Sequence, residues 1–167
     1  MANSYQLNKP YPEPVGLTEN RRAGRLLLRC YAGGCSEMTA ANQYLYQYLQ
    51  SPGGNMQLIQ AFCEICEVER LHLALLGRVL RQLGVDPRFR VAGPEGSVHW
   101  SARHVNYAAT VREMLLSDIA HEDEILNLYQ QTAARIDNSQ IRALIGRIME
   151  DEQLHLESLR DLLNRYF

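Results

Sequence analysis

Two segments of this chain, Glu69-Arg-Leu-His-Leu-Ala-Leu-Leu76 and Glu152-Gln-Leu-His-Leu-Glu-Ser-Leu159, share the pattern Glu-x-Leu-His-Leu-x-x-Leu. Both lie in stretches where apolar residues recur every three or four positions, which is typical of an amphipathic helix. A Glu and a His three residues apart on a helix share one face, about one turn from each other. Each segment therefore places two side chains that can bind a metal ion on the apolar face of a predicted helix.

A single glutamate interrupts the apolar face of each of the other two predicted helices. Glu37 and Glu122 both begin the pattern Glu-x-x-x-x-Asn-x-Tyr. They precede the two Glu-x-x-His segments by similar distances, 32 and 30 residues. A buried, unpaired carboxylate costs several kcal/mol. Four of them, one on the apolar face of each helix, therefore require a shared explanation.

That explanation is a site for two metal ions. Two facing helical hairpins would bring one Glu from each of two helices, and one Glu-x-x-His from each of the others, around a single point. This is the ligand set of di-iron and di-manganese carboxylate bundles. Carboxylate oxygens with imidazole nitrogens suit iron or manganese. The predicted ligands of two iron or two manganese ions per chain are Glu37, Glu69, His72, Glu122, Glu152 and His155, and the four glutamates are also the candidate catalytic residues.

Helical periodicity covers most of the chain, and no stretch shows sustained strand alternation. Ser51–Gly54 predicts a sharp break, and residues 85–103 predict a long connection. The predicted helices span residues 18–50, 55–83, 104–136 and 140–165. The fold class is therefore all-α: a four-helix bundle of two helical hairpins joined by a long crossover connection. Residues 1–18 are rich in proline and predict an extended arm, which leaves residues 19–167 for the bundle.

Composition excludes several classes of function. A chain of 167 residues with 46% hydrophobic residues builds one domain with a real core. A net charge of -2 argues against nucleic-acid binding. No apolar run approaches the roughly 20 residues of a membrane span, and the N-terminus lacks the form of a signal peptide. A cytoplasmic location is expected. The cysteines are expected to be free thiols, with redox or metal roles left open, at Cys30, Cys35, Cys63 and Cys66.

The motifs Glu37-x-x-Ala-x-Asn-Gln-Tyr44 and Asp118-Ile-Ala-His-Glu122 resemble those of the ferritin-like superfamily, in the branch of bacterioferritins, rubrerythrins and manganese catalases. The resemblance covers roughly residues 20–165. It implies that Glu37 and Glu122 are terminal ligands, that Glu69 and Glu152 bridge the two ions, and that each ion binds one histidine. A rubredoxin domain, which rubrerythrins append, is absent from this sequence, and Ile125 stands where they usually carry a further glutamate.

Three further residues, Asp118, Tyr44 and Tyr129, are expected to support the ligands. Asp118 is the candidate acceptor for the second ring N–H of a ligand histidine, with Asp151 as the alternative. Tyr44 and Tyr129 are expected to face inward. They would hydrogen-bond the carboxylates, pass electrons, or simply fill the core.

By the same resemblance the expected function is a di-metal oxidoreductase that reacts with hydrogen peroxide or dioxygen. It would act as a rubrerythrin-like peroxidase or ferroxidase with an unidentified electron donor. The alternatives are a manganese catalase and an iron storage or binding protein. Only twelve residues follow His155, which finish the fourth helix, so a cage that needs a fifth helix is not expected. A homodimer is expected instead, with the arm free to embrace a neighbour.

Overall fold

The computed structural model describes residues 3–51, 55–93 and 96–167. Helices dominate, and one small antiparallel β-hairpin accompanies them. The elements in chain order are α1 (Arg21–Ala32), α2 (Glu37–Gln50), α3 (Met56–Gln82), β1 (Arg90–Gly93), β2 (Gly96–His99), α4 (Val111–Ala133) and α5 (Ser139–Tyr166). Within these described residues, no helix is both long enough and apolar enough to cross a bilayer.

The helices form a four-helix bundle, which confirms the predicted fold class. α1 and α2 follow one another along α3 and run antiparallel to it. The backbone N–H of Asn20 donates to Leu83 at one end of this pair, and Cys66 contacts the carbonyl of Ala41 further along. α4 and α5 form the second hairpin, and residues 83–110 carry the crossover connection between the two hairpins.

The prediction of one continuous first helix over residues 18–50 is wrong. α1 begins after the cap residue Asn20 and ends at Ala32, and Gly33 then adopts extended backbone. Two successive glycines at 33 and 34 disfavour helix. The hydroxyl of Ser36 caps a new helix by accepting from the backbone N–H of Thr39 at 3.3 Å. Glu37 is consequently the first residue of α2.

The crossover connection contains structure that periodicity did not reveal. β1 and β2 pair in antiparallel register from Arg90 opposite His99 to Gly93 opposite Gly96. Strands of four residues are too short to show a clear alternation. The third predicted helix begins at Val111 rather than 104, because Thr110 and Glu113 form a reciprocal capping box there. The predicted break at Ser51–Gly54 lies largely outside the described residues, since 52–54 are not among them.

The core divides into two apolar clusters with a polar layer between them. One cluster lies along α1, the ends of α3 and α4 and the start of α5, and it includes Leu27, Leu76, Leu80, Ile141 and Ile145. The other lies toward the end of α5 and the start of α3 and α4, and it includes Phe62, Ile65, Leu115 and Leu159. The layer between them holds buried charged side chains from α2, α3, α4 and α5.

Residues 3–20 are extended and lie along the chain's own bundle. The side chain of Asn3 donates to the carbonyl of Glu64 on α3, and the backbone N–H of Leu7 donates to Asp151 on α5, both at 2.8 Å. These polar partners hold the arm against the bundle. The expectation that this segment is free to embrace a neighbour is therefore not what the structure shows.

Candidate metal centre

All six predicted ligands meet in the polar layer, and each is at most 1% exposed. They form two overlapping groups of four, and within each group the candidate ligand atoms lie within 4.8 Å of one another. The first group is Glu37, Glu69, His72 and Glu152, and the second is Glu69, Glu122, Glu152 and His155. Glu69 and Glu152 belong to both groups, as two carboxylates shared between two ions would.

Both histidines direct the same ring nitrogen into the carboxylate cluster. Nδ1 of His72 lies 2.9 Å from a carboxylate oxygen of Glu152. Nδ1 of His155 lies 3.0 Å from Glu69 and 3.1 Å from Glu152. The other ring nitrogen, Nε2, faces away from the cluster on both rings. The candidate ligand atom of each imidazole is therefore Nδ1.

Several buried atoms of the cluster have no hydrogen-bond partner among the described residues. Some of these atoms lie close to other atoms of the cluster, as Oε1 of Glu69 does to Nδ1 of His155 at 3.0 Å. Burying such atoms without partners costs free energy, and cations would supply the missing partners. The residues present therefore fit two metal ions. The atoms are Glu37 Oε2, both carboxylate oxygens of Glu69, His72 Nδ1, Glu122 Oε2 and Glu152 Oε1.

Two buried tyrosines hold the glutamates that belong to only one group. The hydroxyl of Tyr44, on α2, donates to Oε1 of Glu122 on α4. The hydroxyl of Tyr129, on α4, donates to Oε1 of Glu37 on α2. Each contact crosses between the two hairpins. In each glutamate one oxygen is thus fixed by a phenol, while the other, Oε2, is left without a hydrogen bond.

The metal-free cluster distributes its charge unevenly. Burial, reinforced by the neighbouring carboxylates, raises the pKa of Glu37 and of Glu122 well above the usual range. Burial alone would also raise the pKa of Glu69, but the two imidazoles beside it outweigh that effect and hold the pKa well below the usual range. Burial would lower the pKa values of His72 and His155, yet the surrounding carboxylates raise both. Without metal, protons therefore occupy much of this centre.

The structure does not place Asp118 against a ligand histidine. One oxygen of Asp118 accepts from the side-chain amides of Gln43 and Gln47, both at 2.8 Å, and burial raises the pKa of this carboxyl to about 7. The alternative, Asp151, takes the predicted position, with Oδ2 3.3 Å from Nε2 of His72. Asp118 and Asp151 are both buried acidic residues on the two helices of the second hairpin, so the sequence alone did not distinguish them.

Sequence reasoning missed two contributions from residues 3–20. The backbone carbonyl of Tyr5 lies 2.9 Å from Nε2 of His155. The hydroxyl of Tyr11 lies 3.2 Å from Nε2 of His72. No signal in the sequence identifies the first contact, because it is made by backbone. The second involves a tyrosine among alternating prolines, whose pattern indicated only an extended chain.

The cysteines remain free thiols, and neither ligand group found among the described residues includes one. Cys30 and Cys66 are buried, and burial raises the pKa of the Cys66 thiol to about 11. A thiol with so high a pKa is a poor nucleophile at neutral pH.

Comparison with known proteins relates this geometry to familiar folds. The family model of rubrerythrin matches residues 33–163. A probable manganese catalase from Clostridium acetobutylicum is 24% identical over 165 residues, covering 88% of this chain and 72% of that protein. The manganese catalase KatB from Anabaena superposes with a TM-score of 0.82 at 21% identity, covering 95% of this chain and 79% of the other. A Rhodobacter capsulatus bacterioferritin superposes with a TM-score of 0.74 at 20% identity, covering 90% and 88%.

Proposed function

The chain belongs to the rubrerythrin family, and we propose that it is a di-metal oxidoreductase that consumes hydrogen peroxide. One observation carries the proposal: two buried groups of four ligand residues share Glu69 and Glu152 and contain polar atoms that lack partners. A single ion would not use both groups. Two ions would satisfy them.

Each part of the centre has a distinct task in this proposal. Glu37 and His72 would hold one ion, Glu122 and His155 would hold the other, and the two shared glutamates would reach both. When bound, two adjacent ions supply a two-electron redox couple and polarise both oxygens of an O–O bond. The tyrosine hydroxyls fix the orientation of the two unshared carboxylates. Because the ligands are at most 1% exposed, the centre suits a substrate as small as hydrogen peroxide or dioxygen.

Among the activities of such a centre, we propose dismutation on two manganese ions. This reaction converts two molecules of hydrogen peroxide into two of water and one of dioxygen, so the electrons balance without an external donor. The similarity to two proteins described as manganese catalases supports this choice. Burial raises the pKa values of Cys35 and Cys66, which lie close to the ligands in sequence, and so disfavours the thiolate form that an electron relay would use.

The second candidate is a di-iron peroxidase or ferroxidase, which the match to the rubrerythrin model favours. Peroxide reduction to two molecules of water takes two electrons and two protons from a donor. This activity therefore requires a separate reductant, or ferrous iron as the electron source, whereas dismutation requires neither.

Metal content and gas release distinguish the two candidates. The protein is expressed with iron and manganese both supplied, its metals are quantified by mass spectrometry, and oxygen is recorded after addition of hydrogen peroxide. Dismutation predicts two manganese ions per chain and half a mole of oxygen per mole of peroxide. Peroxidase activity predicts iron, consumption of added reductant and no oxygen. Protein that binds neither metal would contradict both candidates.

A matched pair of variants on α5 provides the control. Glu152→Gln removes a shared ligand charge without changing the side-chain volume, and we expect it to lose at least one ion and the peroxide activity. Glu157→Gln makes the same chemical change at an exposed position, and we expect it to keep both. Equal losses in the two variants would contradict the assignment of Glu152.

We also propose a homodimer, because all six ligands come from one chain and the site needs no shell of subunits to complete it. Size-exclusion chromatography with light scattering measures the assembly. A particle of hundreds of kilodaltons would contradict the dimer and favour iron storage.

A further inference from the structure

We propose that the arm formed by residues 3–11 is a working part of the metal centre. It keeps Nε2 of each ligand histidine hydrogen-bonded, through a separate contact for each ring, so that the neutral ring that binds a metal ion presents its lone pair at Nδ1. The proposal rests on the proposed function, because it assigns the arm a role in binding the two ions.

The contact to His155 determines which of its nitrogens carries hydrogen. Nε2 lies 2.9 Å from the backbone carbonyl oxygen of Tyr5. A carbonyl oxygen only accepts hydrogen bonds, so Nε2 must be the donor. In a neutral imidazole the lone pair then resides on Nδ1, which faces Glu69 and Glu152. The carbonyl thus selects the tautomer that a metal ion needs.

His72 is held by a pair of acceptors with the same outcome. Its Nε2 lies 3.3 Å from Oδ2 of Asp151 and 3.2 Å from the hydroxyl oxygen of Tyr11. The Tyr11 hydroxyl donates its own hydrogen to that Oδ2. Its oxygen is therefore left to accept from Nε2 of His72. Tyr11 both shares the imidazole hydrogen and fixes the carboxylate that accepts it.

The arm is anchored to α5 by a dedicated group of interactions. Arg147, which is only 5% exposed, donates to the backbone carbonyls of Leu7 and Lys9 at 2.8 and 3.2 Å. Its guanidinium also lies 2.8 Å from Asp151 and 4.4 Å above the ring of Tyr11. Ordering a free segment in this way costs conformational entropy. Because the buried guanidinium of Arg147 makes all these contacts at one point, it fixes the position of the arm and does not merely hold it on the surface.

The two contacts address different ions. His155 belongs only to the group that contains Glu122, and His72 only to the group that contains Glu37. Loss of the Tyr5 carbonyl should therefore weaken the binding of the ion beside His155. Loss of the Tyr11 hydroxyl should weaken the binding of the ion beside His72. If the arm had only a structural role, each of these changes would weaken the binding of both ions together, or of neither.

The test compares deletion of residues 1–6, which removes the Tyr5 carbonyl, with Tyr11→Phe, which removes one hydroxyl. Tyr107→Phe is the matched control, because its exposed hydroxyl bonds only a loop carbonyl. Each protein is loaded with Mn²⁺, and release to a chelator is followed over time. Anomalous diffraction from loaded crystals then gives the occupancy of each position. Thermal unfolding of the metal-free forms checks that each variant folds.

Changing an outer partner of a ligand histidine typically costs about 10–100-fold in metal affinity. We expect the deletion to release the ion beside His155 at least tenfold faster than the wild type, and Tyr11→Phe to do the same for the ion beside His72. Tyr107→Phe should match the wild type. If both variants keep both ions, or lose both equally, the proposal is overturned while the di-metal function stands. If the deletion does not fold, Tyr11→Phe decides alone. Wild-type protein that binds no Mn²⁺ overturns this proposal and the proposed function together.

Discussion

Replacing Asp118 by Asn should stabilise the metal-free protein, and the gain should increase with pH. This carboxyl is fully buried, with one oxygen held by Gln43 and Gln47 and the other without a partner. Burial raises its pKa from 3.8 to about 7. Asparagine keeps the size of the side chain and an oxygen for the same two amides, but it carries no charge to desolvate.

The sign and size of the effect follow from proton linkage. Because the folded-state pKa of Asp118 lies above the unfolded one, the folded protein binds more protons between about pH 4 and pH 7. The wild type therefore loses stability as the pH rises across that range. The complete loss is about 4 kcal/mol, of which somewhat under half has already occurred at pH 5. The advantage of Asp118→Asn over the wild type should thus grow by about 2–3 kcal/mol between pH 5 and pH 8.

Urea denaturation at a series of pH values, with a chelator present, measures this difference. The control is Asp123→Asn, which makes the same change at an exposed position on the same helix and should show no such growth. Burial of an ionisable carboxyl is refuted as the cause if the difference in free energy of unfolding between Asp118→Asn and the wild type stays constant with pH. It is also refuted if the variant is the less stable protein at pH 8.

Three further outcomes are expected at the metal centre. Metal uptake should release protons, because Glu37 and Glu122 hold them in the metal-free state; a pH-stat titration with Mn²⁺ measures the release, and a lower pH should weaken binding. Glu37→Gln should raise the metal-free free energy of unfolding, whereas Glu69→Gln should lower it, since two imidazoles favour the Glu69 carboxylate; urea denaturation with a chelator compares them. Tyr129→Phe should cost about 1–3 kcal/mol by leaving a buried carboxyl oxygen unpartnered, whereas calorimetry should show only a minor change for Tyr166→Phe, whose hydroxyl is exposed.

The clustering of the six candidate ligands was predictable because these residues interrupt the apolar pattern around them. On an amphipathic helix, the face of Leu76 and Leu80 is the buried one, so Glu69 on that face had to be buried as well. Two Glu-x-x-His segments at matching distances from two lone glutamates then restricted the arrangement to one meeting point. The structure brings these six side chains together, and it confirms the predicted four-helix bundle.

The interruption before Glu37 was missed for a local reason. The apolar spacing through Leu26, Cys30 and Gly33 continues across the break, and periodicity alone extends a helix through it. The competing signals were the two glycines and the hydroxyl of Ser36, which caps α2. The glycines disfavour a continuous helix, and Ser36 favours a new start. Together they outweigh the apolar spacing, because its last member, Gly33, has no side chain to bury.

The contacts of the arm were beyond sequence reasoning for a different reason. The partner of His155 is a backbone carbonyl, which every residue possesses. Choosing between Asp118 and Asp151 as the partner of His72 likewise requires the relative rotation of α3 and α5 about their axes. Helical periodicity gives the buried face of each helix but not the pairing of individual atoms across the bundle.

The contact between Leu7 and Asp151 joins residues 144 positions apart. During synthesis, residues 3–11 emerge long before α5, and until α5 is made only their partners on α3, such as Glu64, are available to them. Contacts of such high sequence separation form late, because the intervening chain must be closed first. The contacts of residues 3–11 with α5 therefore cannot form until almost the whole chain has been made. The residues that are synthesised first supply the partner for Nε2 of His155 only after that point.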